Sequence, residues 1–433
     1  MFKTEKLKRG FGKLYEKIFG HTPGEFSKKF FKNLLYAFFG IGSATFITFG
    51  FNILVIRYIG PVEYGKFNLI VSAGEFLAIP VLWGFSTSAL RYLGAEREKK
   101  DAIIGSAFRS VIFLGFVFSV LFFFFRPFIA PYFKISSDLY NLAIVYSLVT
   151  AFFYLFQSFF QGLEKFKNLS YFWLASAFVF VLAVIYYLFV LRNFSFESLF
   201  WGNMLRLFFV IAIGIVFFRS ALFKFDRKVF KEVFNYGTFS MLSVFAGFFS
   251  LGNLDNLMIN YYLGAAAVGL YSAYYMSFNI FTGKVLNTVS QVFLPMASGH
   301  NDIKALYDKV ITFGEKAGLV IFAGNFFLIW ILFKFYGKAF AFDWRVAVLM
   351  ALSITLYFFL MILGNINASM GIRAVKLGFI YLTPTGPLLN IFLNWLLIPR
   401  MGIAGAILGT IITSTILFYI AVKILFKLIK TAV

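Results

Sequence analysis

Beyond residue 32 the chain alternates between long apolar runs and short polar connections. A bilayer-spanning helix takes about 20 apolar residues, and twelve runs are long enough. They are 33–57, 67–92, 103–126, 139–162, 169–191 and 198–218, then 235–262, 267–294, 311–335, 344–368, 376–398 and 402–425. No connection is long enough to fold by itself, which argues against a membrane enzyme with a globular catalytic domain. The first 32 residues hold nine Lys/Arg and no long apolar run. Leu7, Phe11, Leu14 and Ile18 share one helical face, with Lys6, Lys13 and Lys17 elsewhere. That segment reads either as a short helix lying on the membrane surface or as a disordered basic tail.

Composition fits the pattern. Of 433 residues, 61% are hydrophobic and 13% charged, against about 45–50% and about a quarter in soluble domains. A soluble enzyme, a disordered chain and an ordinary secreted domain are excluded. The net charge of +22, on so apolar a chain, points to anionic headgroups or an anionic substrate and not to nucleic acid. There are no cysteines, and His21 and His300 are the only histidines, so no metal centre or redox cofactor is expected. The 66 phenylalanines read as packing and lipid-facing bulk. With the N-terminus inside, 28 Lys/Arg fall in cytoplasmic segments and nine in outer ones, leaving Arg109, Arg206 and Lys284 within spans. That ratio follows the positive-inside rule and places both termini in the cytoplasm of a cell that keeps the chain in its inner membrane.

The chain also repeats itself. IGPVEYGKF at 59–67 returns as LGAAAVGLY at 263–271, pairing Gly60 with Gly264, Gly65 with Gly269 and Phe67 with Tyr271 at an offset of 204. Each copy is a turn between two spans, with glycine where the chain reverses tightly. Six spans separate the copies, so the two halves share one orientation, and substrate sites tend to lie between such repeats. The expected organisation is a cytoplasmic segment at 1–32, a six-helix lobe at 33–218, a basic linker at 219–234 and a second six-helix lobe at 235–433.

Three runs resemble a known family. RYIGPVEYGKFNLIVSAGEFLAIPVLWGFSTSALRYLG (57–94), DNLMINYYLGAAAVGLYSAYY (255–275) and LIPRMGIAGAILGT (397–410) are similar to signatures of the MOP superfamily (multidrug, oligosaccharidyl-lipid and polysaccharide exporters), in its polysaccharide flippase branch. The resemblance implies a V-shaped, all-α pair of six-helix lobes working by alternating access. It implies that an undecaprenyl-diphosphate-linked oligosaccharide is moved from the cytoplasmic to the outer leaflet for surface polysaccharide, with other polysaccharide-assembly proteins as partners.

An ionisable group at membrane depth is a functional hypothesis by default. Here those groups are Glu75, Arg109, Arg206, Asp255 and Lys284. Each also reads as an interhelical ion pair, and Arg109, near a span end, as a snorkelling residue. Asn68, Ser72 and Glu75 share one face of span 2. Asn253, Asn256 and Asn260 share one on span 7, and Lys284, Asn287 and Gln291 one on span 8. Under the offset, Glu75 falls on Asn279 and Asn52 on Asn256. These faces line a wet cleft or bond helix to helix. Arg206, Lys284 and Arg109, with Asn256, Asn287 and Gln291, are the candidates for binding a diphosphate glycan, since a dianion wants guanidinium or ammonium. Glu75 and Asp255 are candidates to bind a coupling H⁺ or Na⁺, or to balance the cations. Asn365, Asn367, Asn390 and Asn394 add polar lining to the second lobe. Pro80, and Pro384, Gly386 and Pro387, mark expected helix breaks or hinges in spans 2 and 11.

Other classes remain open. A cation-coupled multidrug exporter shares the fold and differs in cavity charge. A lipid II flippase resembles longer chains with two extra spans. A membrane polymerase or sugar transferase lacks the expected external loop, Asp-x-Asp site and histidine within a span.

Overall fold

A computed structural model describes residues 25–250, 253–280, 303–370 and 372–432. Among them the secondary structure is helical throughout, with no strand. We label the α-helices α1 (Glu25–Leu82), α2 (Phe85–Ala95), α3 (Lys100–Tyr132), α4 (Ser137–Gly162), α5 (Phe166–Ile185) and α6 (Phe196–Phe218) in the first half. The second half holds α7 (Arg227–Ser250), α8 (Asn253–Leu263), α9 (Ala265–Ile280), α10 (Ile303–Tyr336), α11 (Trp344–Ser369), α12 (Ile372–Met401) and α13 (Ile403–Ala432). Eight helical stretches among the described residues are, by length and composition, long and apolar enough to cross a membrane. The fold is an all-α polytopic membrane protein in two lobes. The basic segment at 1–24 lies outside the described residues, as does the part of span 8 from 281 onward.

Reversals between spans are tighter than the sequence reading expects. The connection at 58–66 is not a loop: α1 runs through it as helix, bent at Gly60 alone (φ 75°, ψ 176°). Gly60 can adopt that angle because it has no Cβ, and Pro61, whose φ is fixed near the helical value, restarts the helix at once. Gly264 (φ 82°) and Gly402 (φ 61°) do the same between α8 and α9 and between α12 and α13.

The proline expectations need correction. Span 2 breaks at Trp83 (φ 44°) and Gly84 (φ 70°), whereas Pro80 sits inside α1. In span 11 the helix α12 continues through Pro384, Gly386 and Pro387. Pro384 and Pro387 each remove one N–H, facing the Ile380 and Thr383 carbonyls, and the helix continues on either side. Thr385 Oγ1 donates to the Tyr381 carbonyl at 2.5 Å.

One hydrophobic core runs from the first half into the second. In the first lobe its centre is phenylalanine: Phe156, Phe159 and Phe160 pack on Phe218 with ring centroids 4.9–6.4 Å apart. On the outside of α3, Phe113, Phe116 and Phe124 are exposed, as lipid-facing side chains would be.

The halves meet along span 2. At the end carrying the repeat turns, a Cβ on Gly65 would lie 1.8 Å from the Ala265 carbonyl oxygen, and one on Gly269 1.9 Å from the Pro61 carbonyl oxygen. Both contacts obey the offset of 204, so span 2 and span 8 cross as symmetry mates, backbone on backbone. At mid-depth Asn256 Nδ2 donates to Ser72 Oγ at 3.0 Å. Near the linker, Trp83 Nε1 donates to Thr238 Oγ1 at 3.0 Å, and a Cβ on Gly84 would lie 2.1 Å from the Gly237 carbonyl oxygen.

The linker itself is pinned. Lys224 Nζ pairs with Asp101 at 2.6 Å, and a Cβ on Gly105 would lie 1.8 Å from the Lys224 carbonyl oxygen. Asp226 starts α7, accepting from the Lys228 and Val229 amides at 2.7 and 3.1 Å, a typical N-cap arrangement. Those two amides hold its carboxyl below the usual carboxylate range. The cap therefore stabilises α7 fully above the ordinary carboxylate pKa and weakens as pH falls through the lowered folded value.

The crossing of spans 2 and 8 generates a stability ordering. Gly65→Ala and Gly269→Ala force backbones apart and are expected to destabilise by at least the 1–3 kcal/mol typical of overpacking, as a rough scale. Gly324→Ala and Gly364→Ala, where nothing lies within 4 Å of an added Cβ, should be neutral or stabilising. Thermal unfolding in detergent measures all four.

Candidate functional site

Two polar clusters lie at membrane depth, one in each lobe. In the second lobe Asp255, on α8, is 1% exposed. Its Oδ2 accepts from Tyr271 Oη at 2.5 Å and its Oδ1 from Asn394 Nδ2 at 2.7 Å. Asn394 Nδ2 also donates to Asn390 Oδ1 at 3.0 Å, and Thr410 of α13 lies close to the carboxylate, its hydroxyl donating to the Ala406 carbonyl at 3.2 Å. Four helices, α8, α9, α12 and α13, thus converge on one carboxylate, and no cation lies within 4 Å of it among the described residues. Burying a carboxylate without a counter-charge costs several kcal/mol, as a rough scale. Neutral hydrogen bonds offset only part of that.

One acceptor of the cluster is left without a donor. Asn394 is fully buried, yet its Oδ1 has no hydrogen-bond partner. Gly409 lies against that oxygen: a Cβ there would come within 2.7 Å of it. Carboxylate, amide and hydroxyl oxygens are the ligands of a hard cation, and they are what this cluster offers.

The first-lobe cluster is of opposite character. Glu75, half-buried on α1, accepts from Tyr154 Oη at 3.1 Å. Across the lobe, Arg206 on α6 donates from Nη2 to Asn203 Oδ1 at 2.6 Å, and Asn203 Nδ2 donates to Tyr146 Oη at 3.3 Å. Arg206 also lies 5.9 Å from the Phe180 ring centroid. No carboxylate is within 4 Å of Arg206 among the described residues, and its buried Nε has no hydrogen-bond partner. This is a guanidinium with donors to spare, half-buried at membrane depth.

Not every expected site residue belongs to these clusters. Asn256 is 6% exposed and spans the seam, donating to Ser72 and accepting from Ser272 Oγ at 3.2 Å. It bonds helix to helix in this state and does not line a cleft. Arg109 is also corrected: it lies at the linker, where it donates to the Phe223 carbonyl and sits 5.8 Å from the Phe225 ring. Lys284, Asn287 and Gln291 lie outside the described residues.

Comparison with known proteins places the fold. A family model described as polysaccharide biosynthesis protein matches residues 30–300, more than half of the chain. The chain belongs to that family. Its fold is shared with solved transporter and flippase structures. An uncharacterized membrane protein of Methanocaldococcus jannaschii is 24% identical over 400 residues, covering 86% of this chain and 92% of that one. Among solved structures, a multidrug resistance MATE family transporter in an inward-facing conformation aligns with a TM-score of 0.66 at 14% identity, covering 90% of this chain and 96% of that one. The lipid II flippase MurJ, in an inward closed conformation, aligns at 0.67 and 18% identity, covering 92% of this chain and 90% of that one.

Several groups of the two clusters escape a sequence reading. Tyr271 looks like a turn residue in the repeat, and Thr410 like one polar residue in an apolar span. Tyr146, Thr150 and Tyr154 recur every fourth residue on α4, a signal for one polar stripe in an otherwise apolar helix.

The carboxylate cluster sets its own test. Asn394→Leu removes a donor from buried Asp255 and should destabilise the protein by about 1–3 kcal/mol. Asp255→Asn keeps one acceptor oxygen for those donors while removing the charge and its burial penalty, and should cost less. The order of the two unfolding midpoints in detergent decides it; a reversed order means the carboxylate does not depend on Asn394.

Proposed function

We propose that this protein moves a lipid-diphosphate-linked oligosaccharide from the cytoplasmic to the outer leaflet by alternating access of its two lobes. The observation that carries the reading is Arg206: an unpaired guanidinium at membrane depth, with a buried N–H unclaimed, flanked by phenols and an amide. Arginine recognises phosphate oxygens through paired N–H donors, and in a site of low dielectric such a contact is strong. Tyr146, Tyr154 and Asn203 add hydroxyl and amide groups of the kind that bind sugars. Membership of the polysaccharide biosynthesis family supports a glycan cargo. The distribution of 28 against nine cationic residues supports an inner-membrane chain with both termini in the cytoplasm.

Transport is coupled, in this reading, through the second lobe. Asp255, Asn390, Asn394 and Thr410 would hold a sodium ion, or Asp255 alone a proton, and the bound charge supplies the counter-charge that the carboxylate lacks. Glu75, hydrogen-bonded to Tyr154 beside the substrate cluster, balances the cation in the first lobe. When the cargo leaves, Arg206 is not left without an acid in its own lobe.

Reconstituted transport tests both parts. Arg206→Gln, expressed at wild-type level in proteoliposomes, should lower flipping of a lipid-diphosphate glycan at least tenfold, on the order of the 1.5–3 kcal/mol of a charged hydrogen bond; Arg206→Lys should keep part of the activity. Full activity of Arg206→Gln sinks the cationic-cleft assignment. Asp255→Asn should make transport indifferent to an imposed Na⁺ or H⁺ gradient, and an unchanged gradient dependence sinks the coupling assignment. Movement of organic cations in place of the glycan would show a multidrug exporter.

A further inference from the structure

Arg109 is the one intramembrane cation of the sequence reading that the structure removes from the lobe interiors, and what surrounds it is a different kind of site. A pocket of about 280 Å³ lies at the junction of the lobes, where the linker crosses span 3. Phe85 comes from α2, Arg109, Phe113 and Leu114 from α3, Phe225 from the linker and Phe230 from α7. Its walls are almost wholly apolar. Arg109 stands at its rim, exposed, and among the described residues has no carboxylate within 4 Å. Its one hydrogen bond is to the Phe223 carbonyl, which leaves the other N–H groups of the guanidinium unused.

Position decides what can enter. Arg109 is nine residues from the start of α3 at Lys100, about 13 Å along the helix at about 1.5 Å per residue. In the apolar run that begins at 103 this is about six residues in, near enough to the span's end for a guanidinium to reach the headgroup layer. Phe113, one turn further, is 66% exposed, on the same lipid-facing side of α3 as Phe116. A ligand reaching this pocket comes sideways from the bilayer, brings an apolar tail and meets one fixed positive charge. The end concerned is also the end that the positive-inside pattern gives to the cytoplasm, where anionic lipid faces the protein.

We propose that this pocket binds one anionic phospholipid, its phosphate on Arg109 and an acyl chain among Phe113, Leu114, Phe225 and Phe230. A phosphodiester suits a guanidinium with spare parallel donors, and the phenylalanine wall returns hydrophobic free energy for the chain. The site joins α3 of the first lobe to the linker and α7, so the bound lipid ties together the parts that alternating access must move. It is separate from the Arg206 and Asp255 clusters and does not depend on the glycan reading.

Native mass spectrometry of the full chain in detergent tests it, with phosphatidylglycerol and phosphatidylcholine of matched chains offered in equal amounts. Wild type should retain phosphatidylglycerol about tenfold over phosphatidylcholine. Arg109→Gln should bring that ratio close to one while keeping the lipid-free unfolding midpoint, and Arg109→Lys should keep part of the preference. Ser110→Trp, which fills the pocket from its rim, should reduce retention of both lipids. Equal retention by wild type, or an unchanged preference in Arg109→Gln, overturns the proposal whatever the variants' stability. Free glycerol 3-phosphate should not raise the unfolding midpoint; if it matches the lipid, the site binds an anion only.

Discussion

Two helices can cross with carbonyl oxygens almost touching the partner's Cα only where both residues lack a side chain, and the crossing of Gly65 with Gly269 is the place where this chain requires it. Lipid does not drive helices together by exclusion from water, so close backbone approach and dispersion do that work in a membrane. The contact is reciprocal at an offset of 204 residues: Gly65 on Ala265 and Gly269 on Pro61. It therefore lies on the pseudo-twofold axis relating the halves, and every other contact between them is placed relative to it. Gly60 and Gly264, each five residues earlier, turn the chain in one residue each. Without those sharp turns the two glycines would not arrive at the crossing together.

Backbone symmetry is kept where chemistry is not. At the offset of 204, Arg206 on α6 corresponds to Thr410 on α13, and Asp255 on α8 to Phe51 on α1. The last span of each lobe thus offers its cluster a different group from the same register: a guanidinium in the first, a hydroxyl beside a carboxylate in the second. The first lobe holds both signs, Glu75 and Arg206, with no ion pair between them within 4 Å among the described residues, whereas Asp255 has no cation within that distance. Each cluster keeps unused capacity: Arg206 has an orphan donor and Asn394 an orphan acceptor.

The sequence reading shows both its reach and its limits in these residues. Twelve apolar runs, a repeat and an all-helical chain were legible because bilayer thickness fixes span length and the periodicity survives in composition. Gly60 and Gly264 were legible as turns because no other residue serves there as well. The proline breaks were misplaced for a physical reason. Proline costs a helix one hydrogen bond and leaves its neighbours helical, whereas Trp83 and Gly84 adopt positive φ and end the helix outright. Asn256 was ambiguous because polarity on a span says only that the residue avoids lipid. A cleft and a helix–helix hydrogen bond satisfy that condition equally. Asp255 was visible as a charge, but its partners Tyr271, Asn390, Asn394 and Thr410 come from three other helices, and spacing along one helix cannot reveal them.

The seam along span 2 also differs from end to end, and this bears on how the lobes separate. Near the linker, Trp83 stacks on Phe234 with planes 10° apart and 6.0 Å between centroids, and donates to Thr238. There Gly84 meets Gly237, and the linker, held by Asp101 and Gly105, prevents the halves from moving far. At the turn end the glycine crossing offers dispersion alone, and Asn260 adds two hydrogen bonds to the carbonyls of Phe133 and Lys134, groups that water can replace once the end opens. Dispersion falls off steeply with distance and brings no penalty of unpaired polar groups when lost. Separation at the turn end must break the Asn260 hydrogen bonds and the Lys134–Tyr261 and Tyr64–Phe340 contacts, whereas separation at the linker end must break an aromatic stack and a hydrogen bond and strain a short tether. The repeat thus produces a symmetric hinge axis, and the departures from the repeat make its two ends unequal.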